Sequence, residues 1–160
     1  MPTESLIDFE RLDLSRPVAG HRELDRYRDQ RGRFRMLDGI LSEDAETKVV
    51  VGFKDIRADD WWAPDHIPGR PLFPGALMVE CAAQLAAYDY IKRNGRSGDG
   101  KFVGFGGLDN TRFRGLVVPD CRLVFAARVV RERSSIFLYH AQGFVDEKLV
   151  FEADVRGVVV

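Results

Sequence analysis

Residues 65–88 read DHIPGRPLFPGALMVECAAQLAAY, and the change of character inside that stretch decides the fold. Its first ten positions hold Pro68, Pro71 and Pro74, with Pro64 just before them. Each proline fixes φ and biases its predecessor toward extended backbone, so residues 55–75 read as a loop that no regular helix can enter. From Gly75 onward Ala, Leu and Met dominate, which are strong helix formers. Pro74 sits where a first turn would begin, and NGRSGDG at 94–100 supplies glycine stop signals. The spacing predicts a helix from Gly75 to about residue 93, roughly 28 Å long at 1.5 Å per residue. Between Ala76 and Ala87 it is apolar nearly all round, which implies burial on most sides.

Glu80 is the only formally charged residue between Gly75 and Tyr88. A carboxyl group buried there without a partner is expected to hold its proton and to be available as a general acid. Gln84 lies one helical turn on, within reach of the same site. On the loop, His66 is the residue type suited to a general base near neutral pH. The free N–H groups of a helix beginning at Pro74 and Gly75 could hold a carbonyl oxygen or an enolate. Gly75, having no side chain, would let a ligand approach the backbone. Taken singly, each feature has an ordinary explanation: a loop histidine is usually exposed, and a helical glutamate usually faces water or an arginine. His21 and His140 get that ordinary reading, and Trp61 and Trp62 read as packing. The grouping at 66–80 is more specific than its parts.

Outward from the helix, RFRMLDGILS and ETKVVVGFK look like strands, the second β-branched. After the helix come KFVGFGGLDNTRFRGLVV, CRLVFAARVVRER, SIFLYHAQGFV and KLVFEADVRGVVV. Leu123, Phe125, Ala127 and Val129 alternate with outward residues such as Arg122 and Arg128, a period of two. SS and DEK are plausible hairpin turns, so the sheet should be largely antiparallel. One long buried helix wrapped by a curved antiparallel sheet is an α+β domain. Residues 1–28 are polar and charged without a clear period and read as an N-terminal extension carrying at most a short surface helix; residues 29–160 form the domain.

At 160 residues, 45% hydrophobic and 31% charged, the chain has the composition of one globular domain. The formal charge of −1 excludes a globally basic nucleic-acid binder. Residues 91–133 hold ten Lys/Arg against four Asp/Glu, a basic segment whose ordinary reading is a solvated face. Cys81 and Cys121 do not make a metal spacing. The start, MPTESLIDFERLD, has no apolar core of a signal peptide, so a reducing cytoplasm is expected. The longest apolar run is broken by Glu80 and Gln84 and is too short for a membrane span.

The segment HIPGRPLFPGALMVE resembles the active-site motif of the 3-hydroxyacyl-[acyl-carrier-protein] dehydratases of the hotdog fold, in its FabZ form. His66, Pro68, Gly69, Pro71, Pro74, Gly75 and Glu80 fall on the motif, and the glutamate favours the FabZ type over the FabA type, which carries Asp. RGRFRMLDGIL, FVGFGGLDNTRFRGLVVPD and GFVDEKLVFEADVRG are similar to the family's opening strand, post-helix strand and closing hairpin. Four departures stand out. Ile67 replaces the usual Phe, Gln30 and Arg31 stand where His-Arg is common, VVPDCRL lacks a glycine, and Gly104 takes a place where some members carry a tyrosine beside the acyl tunnel.

The resemblance implies a hotdog fold and conversion of (3R)-3-hydroxyacyl thioesters on acyl carrier protein to trans-2-enoyl thioesters, in fatty-acid or related lipid synthesis. By resemblance His66 takes the α-proton and Glu80 protonates the leaving hydroxyl. Gly75 offers its N–H, and Gln84, Pro74 and Phe73 line the substrate. It implies no metal or redox cofactor beyond the phosphopantetheine arm. The expected assembly is a homodimer with shared sites, or a trimer of dimers, with no nucleic-acid or membrane partner. Lys101, Arg112 and Arg114 are the candidate carrier-protein patch. The competing readings are a thioesterase or R-specific enoyl-CoA hydratase on the same fold, and a non-catalytic subunit that binds acyl carrier protein.

Overall fold

A computed structural model describes residues 3–95 and 100–160. A six-stranded, wholly antiparallel sheet is built from β1 (Gly39–Asp44), β2 (Val49–Ile56), β3 (Val103–Phe113), β4 (Cys121–Glu132), β5 (Ile136–Val145) and β6 (Lys148–Val159). Their order across the sheet is β1-β2-β4-β5-β6-β3, so β1 and β3 are the two edges. Two single helical turns, α1 (His21–Leu24) and α2 (Ala63–His66), precede the long helix α3 (Gly75–Asn94). The α+β architecture read from the sequence is the one found. Among the described residues no helix is long and apolar enough to cross a membrane.

α3 begins where the sequence sets it. Pro74 is the N-cap residue, and its carbonyl accepts from the N–H of Leu77 and Met78 at 3.0 and 3.2 Å. Gly95 ends the helix with φ of 80°, and its N–H reaches the Ile91 carbonyl at 2.8 Å, a left-handed stop that a glycine takes without strain. The remaining stop signals, residues 96–99, lie outside the described residues. The helix buries Met78, Cys81, Ala82, Leu85 and Ala86 against the sheet's concave face. That face supplies Val50, Leu123, Phe125, Ala127, Tyr139, Phe151 and Val155.

The loop at 55–74 departs from the reading in one respect: Ala63–His66 forms a turn of α-helix. Pro64 lies in its first turn, where a missing N–H costs nothing, and the His66 N–H closes on the Trp62 carbonyl at 2.9 Å. The opening strand also starts later than RFRMLDGILS suggested. Gly32–Phe34 is a 3₁₀ turn, and pairing begins at Gly39.

The convex face of the sheet is apolar as well. Val51, Phe53, Val124, Ala126 and Phe144 form a second cluster, covered by Leu6, Ile7, Phe9, Leu12 and Leu14 of the N-terminal segment. This cover explains why β4 is buried at Val124 and Ala126 as well as at its inward positions. Gln142 ties the segment down: its Oε1 accepts from the Leu6 N–H and its Nε2 donates to the Glu4 carbonyl, both at 2.8 Å. Burying Ile7 contributes about 2 kcal/mol by area.

The β5–β6 hairpin turns on two residues, Asp146 and Glu147, with φ of 49° and 65°. Two left-handed residues match the twist of the flanking strands, but a glutamate pays a steric cost there of about 1 kcal/mol. Glu147→Gly is therefore expected to raise stability by about 0.5–1 kcal/mol, read as a higher urea midpoint at unchanged m-value. A midpoint at or below that of the parent protein would refute the turn assignment.

Candidate active site

Glu80, Ala83, Gln84 and Ala87 recur at helical spacing on α3 and form one stripe. That stripe is one wall of a groove of about 210 Å³, whose other wall is Val103, Gly104 and Phe105 of β3 with Val155 and Gly157 of β6. Glu80 lies at the Gly75 end of the stripe, half-buried rather than enclosed, which corrects the expectation of a buried carboxyl group. It has no ion-pair partner among the described residues. Gln30, one of the departures noted above, also lines the groove.

Gln84 is 2% exposed, and its amide is fully used. Its Oε1 accepts from the Met36 N–H at 3.2 Å, and its Nε2 donates to the Phe34 carbonyl and to Glu80 Oε1, each at 2.8 Å. The two backbone partners fix which end of the amide is nitrogen. No donor remains for a substrate. Gln84 thus holds the carboxyl group of Glu80 by one oxygen, Oε1, and among the described residues no hydrogen bond reaches the other, Oε2. Beside it, burial pushes the Cys81 thiol far above its ordinary range, so it is an inert core group.

The segment carrying Gln30 is held by arginines. Arg28, 2% exposed, donates to Asp25 Oδ1 at 2.9 Å, to the Leu37 carbonyl at 2.8 Å and to His21 Nδ1 at 2.8 Å. Arg35 reaches Asp25 Oδ2 at 2.6 Å. Burial alone would push the Asp25 carboxyl up, but the hydrogen bond and charge of Arg28, with Arg35 and Arg31, hold it below the usual carboxylate range.

His66 ends α2 and is exposed. Its Nδ1 lies 2.7 Å from the Leu72 carbonyl oxygen. A carbonyl can only accept, so in the neutral imidazole Nδ1 carries the hydrogen and Nε2 keeps its lone pair for an incoming proton. The loop is pinned at its far end by the Phe73 N–H, which donates to the Val117 carbonyl at 2.8 Å. Next to His66, the residues Ile67, Arg70, Pro71 and Leu72 line an apolar hollow with Leu116 and Val118. Within one chain, therefore, Glu80 lines the groove on α3 and His66 does not; the hollow beside the His66 loop is a different one.

The remaining sequence candidates divide. At the α3 N-terminus the N–H of Gly75 has no intrahelical partner, as at any helix start. A Cβ on Gly75 would stand 2.9 Å from Phe113 Cε1, so the glycine lets that ring close against the helix start. The room over its Cα is thus filled by Phe113. Phe73 lines neither hollow: its ring is 1% exposed and lies edge-on to Trp62 at 5.2 Å. Pro74 acts through its cap carbonyl.

Lys101, Arg112 and Arg114 do not share a patch. Lys101 and Arg112 are separated by the length of β3, about 33 Å at 3.3 Å per residue. Arg114 is engaged with Glu152 at 2.9 Å, which raises the guanidinium and lowers the carboxyl from their ordinary ranges. Among the described residues no group of three or more His, Cys, Asp or Glu side chains is placed to hold a metal ion.

Comparison with known proteins covers this same span. The FabA-like domain model matches residues 29–154. The 3-hydroxyacyl-[acyl-carrier-protein] dehydratase FabZ of Desulfotalea psychrophila is 34% identical over 122 residues, 76% of this chain and 81% of that one. FabZ of Campylobacter jejuni is 35% identical over 132 residues, 79% and 88% of the two chains. Among solved structures, the dehydratase heterocomplex ApeI:P from Xenorhabdus doucetiae superimposes with a TM-score of 0.72 at 11% identity, over 86% of this chain and 90% of that one. A thioesterase from Pseudomonas aeruginosa superimposes with a TM-score of 0.65 at 14% identity, over 91% and 96%. The two structural matches share the hotdog fold with this chain, and the match across residues 29–154, together with over a third of positions identical to a FabZ over most of both chains, makes it a member of the FabA-like family.

Proposed function

We propose that the protein dehydrates (3R)-3-hydroxyacyl thioesters of acyl carrier protein to trans-2-enoyl thioesters in fatty-acid synthesis, at sites shared between two subunits. One observation carries the shared site. Within a chain the His66 loop lies at the Phe113 end of edge strand β3, and the Glu80 groove lies at its Val103 end. A two-fold axis through the middle of β3, pairing it antiparallel with its copy, places one end against the other. His66 of one subunit then meets the Glu80 groove of its partner. The edge is dressed for such pairing: Phe102, Phe105, Leu108 and Phe113 are 41–56% exposed, and continuing the sheet across it removes an unpaired row of backbone groups.

The chemistry follows from the fixed groups. Nε2 of His66 removes the α-proton. The developing negative charge on the thioester oxygen is met by the Gly75 N–H at the positive end of α3. Hydroxide is a poor leaving group, so Glu80 transfers the proton on Oε2 to the departing oxygen while Gln84 holds Oε1. The C–H and C–O bonds break, the double bond forms, and water leaves. The proton held by His66 returns to Glu80 and closes the cycle. This route uses no metal or redox group. Of the extension that precedes the reacting domain, residues 29–160, Leu6, Ile7, Phe9, Leu12 and Leu14 serve as a cover on the convex face, while Leu24 and Arg28 are buried with the domain's own core.

The test is to supply 3-hydroxyacyl thioesters on acyl carrier protein and on coenzyme A, following enoyl absorbance and free thiol together. Enoyl formation without thiol release is expected, with faster turnover on the protein carrier. Thiol release without enoyl product would make the protein a thioesterase and overturn the reading.

A further inference from the structure

The groove that starts at Glu80 runs toward a pair of stacked aromatic rings of the same chain. Along α3 its wall runs Glu80, Ala83, Ala87, and the next residue on that line is Tyr90, only 6% exposed. The Tyr90 ring stacks on Phe137 of β5 at 4.3 Å between centroids and 26° between planes. Phe137 is 2% exposed and lines the groove. Both rings are braced from behind: Tyr139 meets Phe137 edge-on at 5.5 Å, and the Tyr90 hydroxyl donates to the Ser134 carbonyl at 3.2 Å. In register, Phe137 faces Gly157 of β6, and a Cβ at 157 would overlap its ring. The aromatic wall occupies the space that a side chain there would have taken.

We propose that the Tyr90–Phe137 stack is the stop that sets the longest acyl chain the enzyme accepts. This rests on the dehydratase reading above. With the hydroxyl-bearing carbon held at Glu80, the tail must follow the apolar stripe of Ala83 and Ala87. The distance from Glu80 to Ala87 is about 10 Å at 1.5 Å per residue, which limits the whole acyl chain to about ten carbons. A groove of 210 Å³ agrees with a tail of that size. A partner subunit pairing on β3 covers the open side of the groove but leaves this end as it is, because both rings belong to one chain.

The experiment measures kcat/KM for 3-hydroxyacyl thioesters of four to sixteen carbons on the full-length protein, Phe137→Leu and Ala87→Met. For the parent protein the value should fall at least tenfold between ten and fourteen carbons. Phe137→Leu should move that fall to longer chains by two carbons or more. Ala87→Met, which fills the groove short of the stop from a half-buried helix position, should move it to shorter chains. Should Phe137→Leu fail to fold, Ala87→Met with the parent profile decides the matter. A parent profile level to sixteen carbons, or variant profiles that coincide with it, overturns the stop while the dehydratase reading stands. A parent protein that dehydrates no chain length removes that reading, and the stop with it.

Discussion

Glu80→Gln is expected to lower kcat by about 10³-fold, within the range that a positioned general acid supplies, and to leave the fold unchanged. The amide keeps the shape of the carboxyl group and still presents an oxygen to Gln84 Nε2, so the hydrogen bond at 2.8 Å survives. What it lacks is the proton that the departing hydroxyl needs. Glu80 is half-buried and has no ion pair among the described residues, so the substitution should move the unfolding free energy by no more than about 0.5 kcal/mol. KM should change little, since the lost interaction forms only as the C–O bond breaks. Steady-state kinetics beside a urea melt checks both halves. Turnover within tenfold of the parent rate, in a protein that melts normally, removes Glu80 from the role of acid.

That prediction concerns a residue the sequence singles out, and the residues around it show where sequence reading stops. α3 was legible because composition, a proline at its start and a glycine at its end agree. β4 was legible because Leu123, Phe125 and Ala127 alternate. The cover on the convex face was not. Leu6, Ile7, Phe9, Leu12 and Leu14 follow neither a period of two nor one of 3.6, since the chain that carries them is irregular, and the acids between them read as a solvated tail. The half-exposure of Glu80 was hidden for a different reason. A helix apolar on all sides reads as buried, but the stripe of Ala83 and Ala87 faces a groove. Gln84 could be placed near Glu80 by spacing alone, whereas its bonds to Phe34 and Met36 come from a segment 48–50 residues away. Arg114 looked free for a partner because its pairing with Glu152 depends on the β3–β6 register, which crosses from an early strand to the last one.

A mixture of two inactive variants recovers about a quarter of the parent activity if the sites are shared. One variant carries His66→Asn and keeps Glu80; the other carries Glu80→Gln and keeps His66. Refolded or co-expressed in equal amounts, they combine at random, so half of the dimers contain one of each. In such a dimer one site takes its imidazole from the second variant and its carboxyl group from the first, and is intact. The other site has lost both. Half of the dimers with half of their sites intact gives about 25% of parent turnover per subunit, against a background near zero for either variant alone. The arithmetic separates the two geometries without ambiguity. A site built within one chain has a defective member in every copy, so no mixture restores it. The topology favours rescue, because Glu80 lines a groove at the Val103 end of β3 while the His66 loop lies by a different hollow at its Phe113 end, and a second copy paired antiparallel on that edge would bring an imidazole to the carboxyl group. Absence of rescue in a mixture shown by mass to contain the mixed dimer would overturn the shared site, and with it the mechanism that needs both groups on one substrate.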